Sequence, residues 1–153
     1  RIDLEPFQGG RRQALVQLAR QGQVLQSALP GKLAVADPRL APYGAAALQA
    51  LDKLGVLEKV RAQFVVGESV GQTFQFVKTG NAALGFVALS QIMAGGRITS
   101  GSAWVVPAQL HEPIRQDAAL LRPGQDNAAA RALLQYLRQD VARQIIRAHG
   151  YLL

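Results

Sequence analysis

Apolar positions recur along this chain with two alternating periods. Over residues 11–29, Leu15, Leu18, Val24 and Leu25 fall roughly every three to four residues, with a break at Gly22, which predicts a helix stopped by Pro30 and Gly31. Residues 32–36 (KLAVA) are a short apolar run of strand length, closed by Asp37 and Pro38. The loop at Pro42, Tyr43 and Gly44 then opens a helix with Ala47, Leu48, Leu51 and Leu54 on one face, and Gly55 is its natural stop.

The alternation continues. A helical turn over 57–62 leads to a second strand at 63–66, and Gly67, Glu68 and Ser69 introduce a helix with Val70, Phe74 and Val77 in register, closed at Thr79, Gly80 and Asn81. A strand over 84–88, a helical turn over 89–93, a loop at Gly95 and Gly96 and a strand over 103–106 follow. Strands alternating with helices predict an α/β fold with a parallel or mixed sheet covered on both faces. Beyond Pro107 the pattern shifts to a polar connector, an apolar run over 118–121 and two helices over 128–137 and 141–148, the first capped by Asp126 or Asn127.

Composition narrows the class. The 153 residues, 49% of them hydrophobic, with mean hydropathy near zero, suit one cored domain or two small lobes rather than a disordered chain. Having no cysteine removes disulfides, thiolate metal sites and thiol nucleophiles, and leaves the redox compartment open. The chain opens at Arg1 without a basic and apolar leader, so a processed or cut end is expected. Seventeen Lys and Arg against ten Asp and Glu give a net charge of +7. Those cations are dispersed (Arg20, Lys32, Arg39, Lys53, Lys59, Lys78) without a dense tract or interleaved aromatics, so a solvated surface is expected and no nucleic-acid partner.

No catalytic constellation assembles. His111 lies in a connector and His149 beside a glycine, no Gly-x-Ser-x-Gly elbow surrounds any serine, and neither metal-ligand spacing nor a phosphate-loop pattern occurs. Nucleophilic catalysis therefore has little support from these residues, and no metal or cofactor site is expected. Two strand-to-helix turns remain, one through Pro42, Tyr43 and Gly44 and one through Gly67, Ser69, Val70 and Gly71. Helix starts expose backbone N–H groups at the positive end of the macrodipole, where an anion is held without side-chain charge. Small residues also simply permit tight turns, and spacing alone leaves both readings open.

The strings LAVADPRLAPYGAAA (33–47), GESVGQTFQFV (67–77), TGNA (79–82) and GFVALS (85–90), followed by WVVP (104–107), Pro113, Ile114, Gln116 and IIRAHGY (145–151), resemble the periplasmic molybdate-binding proteins of ABC importers. The resemblance implies a type II periplasmic binding fold, two α/β lobes that close on molybdate or tungstate and present a surface to the membrane permease. It implies ligand positions at Tyr43 and Val70, both through backbone N–H groups, and a third at Ala88, where some members carry a tyrosine hydroxyl that alanine lacks. It further implies a periplasmic location, a second lobe over 1–108, and over 109–153 the crossover with the C-terminal strand and helices of the first lobe. Nothing before Lys32 matches the family's first-lobe segment, so weak anion binding by this chain alone and self-association through an incomplete first lobe are expected. Two other readings stay open: an oxyanion-sensing effector domain of a transcription regulator, and a small phosphate-handling α/β enzyme.

Overall fold

A computed structural model describes residues 22–153 and divides the chain into two compact units. The helix expected over 11–29 lies outside the described residues as far as position 21; over its remainder the chain makes a single 3-10 turn, Gln23–Leu25. Unit one holds 22–88 with Gly101–Pro113, and unit two holds Leu89–Ser100 with Ile114–Leu153. The chain therefore passes between units after residues 88, 100 and 113, whereas the sequence suggested one division at 108.

Unit one is built on strands β1 (Leu33–Ala36), β2 (Phe64–Gly67) and β3 (Leu84–Gly85), with helices α1 (Pro42–Lys53), α2 (Leu57–Val60) and α3 (Val70–Lys78) between them. The sheet order is β2-β1-β3 and every pairing is parallel, with Leu33 opposite both Phe64 and Leu84. The chain moves to one side of β1 and then back across it. Two right-handed crossovers in opposite directions put their helices on opposite faces, and all four residues of β1 are accordingly buried. Leu33, Val35, Leu51, Val56 and Val60 form the centre of the core, with Phe64, Leu84, Phe86 and Trp104 packed around it. Each such side chain contributes about 1.5–3 kcal/mol by leaving water.

Helix ends follow from local chemistry. Gly55 has φ 69°, and Gly55 N–H donates to Asp52 O (2.8 Å) while Val56 N–H donates to Leu51 O (3.0 Å). That pair of hydrogen bonds is the Schellman stop, and Leu51 and Val56 both belong to the buried core cluster. Helix α3 starts at Ser69, whose Oγ accepts from Gln72 N–H (3.2 Å), while Gln72 Oε1 accepts from Glu68 N–H (2.7 Å). This is a variant of the reciprocal capping box.

Two expectations need correction here. The strand predicted over 84–88 pairs only at Leu84–Gly85, and the segment 103–106 forms no strand. Extended backbone becomes a strand only when a neighbour takes its N–H and C=O groups, and among the described residues none pairs with 103–106. Trp104 instead lends its ring to the core.

Unit two contains a hairpin of β4 (Met93–Ala94) and β5 (Arg97–Ile98) and two helices, α4 (Ala128–Tyr136) and α5 (Asp140–Ala148). Gly95 and Gly96 have φ 57° and 76°, the paired positive values of a two-residue hairpin turn. The expected helical turn over 89–93 is thus a 3-10 turn, Leu89–Gln91, running into a strand. Asn127 caps α4, its Oδ1 accepting from the N–H groups of Ala129 (2.9 Å) and Ala130 (3.2 Å). The expected C-terminal strand is not formed: among the described residues no strand follows Ile98, and 118–121 is irregular and exposed. Leu133, Val141 and Ile145 of the two helices are also exposed. No helix among the described residues is long and apolar enough to cross a membrane.

Candidate functional site

The three sequence-predicted positions each follow the carboxyl end of a strand of a single sheet in unit one. Val70, the first residue of α3, lies three residues beyond β2; Tyr43, the second residue of α1, lies seven residues beyond β1; Ala88 lies three residues beyond β3. Since β2, β1 and β3 are neighbours and parallel, all three follow the same edge. In open α/β sheets this is where ligands bind. Tyr43 and Val70 are half-buried and Ala88 is buried.

Helix α1 begins without a side-chain cap. Pro42 stands at the start of α1, where its missing N–H removes nothing from the helical ladder, and Ala41 before it has no capping side chain. Tyr43 and Val70 fall in the first turns of their helices, at the positive end of the helix dipole.

Gly44 permits the close approach that this requires. A Cβ there would overlap the Ala36 carbonyl oxygen and sit 2.8 Å from the Ala36 carbonyl carbon and 2.9 Å from that of Asp37. Only a glycine lets the first turn of α1 lie directly on the end of β1. Gly67 is similar though less extreme, since a Cβ there would lie 3.0 Å from both the amide nitrogen and Oγ1 of the fully buried Thr73.

The strand-to-helix turn also holds an ion pair. Asp37 Oδ1 accepts from Arg39 N–H (2.9 Å) and Nε–H (3.2 Å), and Oδ2 accepts from Nη2–H (2.8 Å). Hydrogen bonds from Arg39 hold the Asp37 carboxyl below its ordinary value, and the carboxylate in turn raises Arg39. Sequence reading took Asp37 only as the end of a strand. The signal available was an acidic residue two before a basic one across Pro38, the pattern of an Asx turn. Among the described residues no group of three or more His, Asp or Glu side chains is placed to hold a metal ion.

The family model described as bacterial extracellular solute-binding protein matches residues 13–152. The chain belongs to that family. It is 53% identical over 131 residues to the molybdate-binding protein ModA of Azotobacter vinelandii, covering 86% of this chain and 52% of the relative. It is 47% identical to ModA of Rhodobacter capsulatus over the same length, 86% of this chain and 50% of that one. The chain thus spans about half the length of the relatives it matches. The solved periplasmic molybdate-binding protein of Azotobacter vinelandii superposes with a TM-score of 0.81 at 38% identity, over 88% of this chain and 59% of that one. A solved substrate-binding domain of a putative molybdenum ABC transporter from Clostridium difficile shares the fold, with a TM-score of 0.64 at 21% identity over 90% of this chain and 59% of that one. The α/β architecture is therefore that of the type II periplasmic binding proteins.

Proposed function

We propose that this chain is part of the substrate-binding component of an ABC importer, and that it holds molybdate through backbone N–H groups of Tyr43 and Val70. The observation that carries this is the placement of two helix starts beyond adjacent parallel strands, β1 and β2, of one sheet. The similarity to ModA over most of the chain supports molybdate as that anion. A dianion at such an edge meets oriented N–H dipoles that need no reorganisation, and neutral donors hold it without a counter-charge. Ala88 lines the same edge without a hydroxyl, so its contribution is space and backbone alone.

Unit one then acts as the second lobe, and unit two contributes to the first. The protein works in the periplasm and delivers its ligand to a membrane permease. It performs no chemistry on the ligand, consistent with donors that are amides rather than acids, bases or nucleophiles. Tungstate, matching molybdate in charge and tetrahedral shape, competes for the site. Exposed Leu133, Val141 and Ile145 support a further packing surface for unit two, supplied by other first-lobe structure or by a second copy.

The test is calorimetric titration of the full-length gene product with molybdate, tungstate and sulfate. Saturable one-to-one binding of molybdate and tungstate, with sulfate at least about a hundredfold weaker (roughly 2.7 kcal/mol), is the expected result. Equal affinity for sulfate, or no binding of any of the three, contradicts the proposal.

A further inference from the structure

Asp37 joins the ends of β1 and β2 to the start of α1 in unit one. Its N–H donates to Gly67 O at the end of β2 (2.7 Å), and its carbonyl accepts from Leu40 (3.1 Å) and Ala41 (2.9 Å) at the start of α1. A formal negative charge is thus built into the strand edge at which a dianion is to be held. Like charges at short range disfavour one another, and an uncompensated carboxylate here would work against binding.

Arg39 answers that charge. Its Nε–Nη2 edge is set on the carboxylate, in addition to the backbone bond that makes the turn. The side chain of Asp37 is only 14% exposed, whereas that of Arg39 is 85% exposed. The turn itself needs only the Arg39 N–H, which any residue but proline supplies at that position. The guanidinium therefore adds something the turn does not require.

We infer that Arg39 is a positioning and charge-neutralising residue of the anion site: by pairing with the carboxylate of Asp37, whose main chain joins β1, β2 and the start of α1, it cancels one negative charge at that edge, so that the N–H donors meet less opposing charge. This role rests on the oxyanion reading of the site. It differs from direct ligation, in which Arg39 would touch the anion, and from a purely structural role, in which the turn alone would matter. The three are separable because Asp37→Asn keeps the oxygen that accepts from Arg39 N–H while removing the charge.

The experiment is a double-mutant cycle on the full-length protein, with molybdate affinity measured by calorimetry at low and high salt and melting temperature measured alongside. Arg39→Ala is expected to weaken binding about tenfold at low ionic strength, with a smaller loss at high salt and little change in melting. The pair Asp37→Asn with Arg39→Ala is expected to recover most of that loss. Should Arg39→Ala fail to fold, Arg39→Lys against Arg39→Gln decides the matter, with the lysine variant binding within about threefold of wild type and the glutamine variant weakened like Ala. Wild-type affinity in Arg39→Ala, or equal affinity in the lysine and glutamine variants, overturns the inference while leaving the oxyanion reading intact. A double variant as weak as Arg39→Ala also overturns it, in favour of direct contact. Absence of molybdate binding in the wild type overturns both.

Discussion

Gly44 couples the fold of unit one to its site, and Gly44→Ala is the perturbation that exposes the coupling. The new methyl carbon would overlap the Ala36 carbonyl oxygen and stand 2.8 Å from its carbonyl carbon. An ordinary carbon–carbon contact is about 3.5–4.0 Å, so backbone on one side must give by roughly 0.7 Å or more. Neither side yields easily: Ala36 is buried and paired with Gly67 in the central strand, and α1 is pinned against the core through Ala47 and Leu51. Overpacking of this kind costs up to about 3 kcal/mol, and alanine regains about 1 kcal/mol through helix propensity, leaving a net loss of about 2 kcal/mol. That corresponds to a melting temperature lower by roughly 4–8 °C. Displacing Tyr43 by the same shift weakens one charge-assisted hydrogen bond, and anion affinity falls by about tenfold. Gly71→Ala is the control, because its Cβ would meet only Ser69 Oγ at an ordinary 3.6 Å; it is expected to be neutral or stabilising. Thermal denaturation and anion titration of both variants provide the assay. If Gly44→Ala melted and bound like wild type, the close approach would not be what places the start of α1.

Three further outcomes follow from the geometry. Val70→Pro removes one proposed donor at a position where proline is tolerated, since Val70 opens α3 and Ser69 before it is extended (φ −146°, ψ 162°); calorimetry should show affinity lower by about tenfold or more with the fold retained by circular dichroism, while Val70→Ala stays near wild type. Asn127→Ala takes the cap from Ala129 and Ala130 and should destabilise unit two by about 1 kcal/mol in urea denaturation, without altering anion affinity. The folded-state value of Asp37 lies below the ordinary 3.8, so its pairing stabilises the protein above that pH, and the contribution is lost as pH falls through the depressed value; Arg39→Ala should flatten that part of an acid-denaturation curve.

Much of unit one was legible because its signals are local. The apolar run at 33–36, the face of Ala47, Leu51 and Leu54, and the stops at Gly55 and Gly80 each act within a few residues, and each element formed within a residue or two of its predicted place. Segments that depend on distant partners were not legible. Residues 103–106 have strand composition, yet pairing is a property of a neighbour, and Trp104 found the core instead. The hairpin at Gly95 and Gly96 was visible only as a glycine pair, because the two-residue strands beside it are too short for a period to register. At the candidate site, the helix starts at Tyr43 and Val70 were readable from turn chemistry. Their meeting at one sheet edge required the β2-β1-β3 order, and the Asp37–Arg39 pair required side-chain geometry that no spacing rule supplies.

A tungstate-bound crystal structure of the full-length protein tests the central claim most directly, because the metal's anomalous scattering locates the anion without ambiguity. The account predicts one strong peak at the carboxyl edge of the β2-β1-β3 sheet, with anion oxygens about 2.7–3.2 Å from the backbone nitrogens of both Tyr43 and Val70. A peak bound elsewhere, or one touching neither amide, would contradict it.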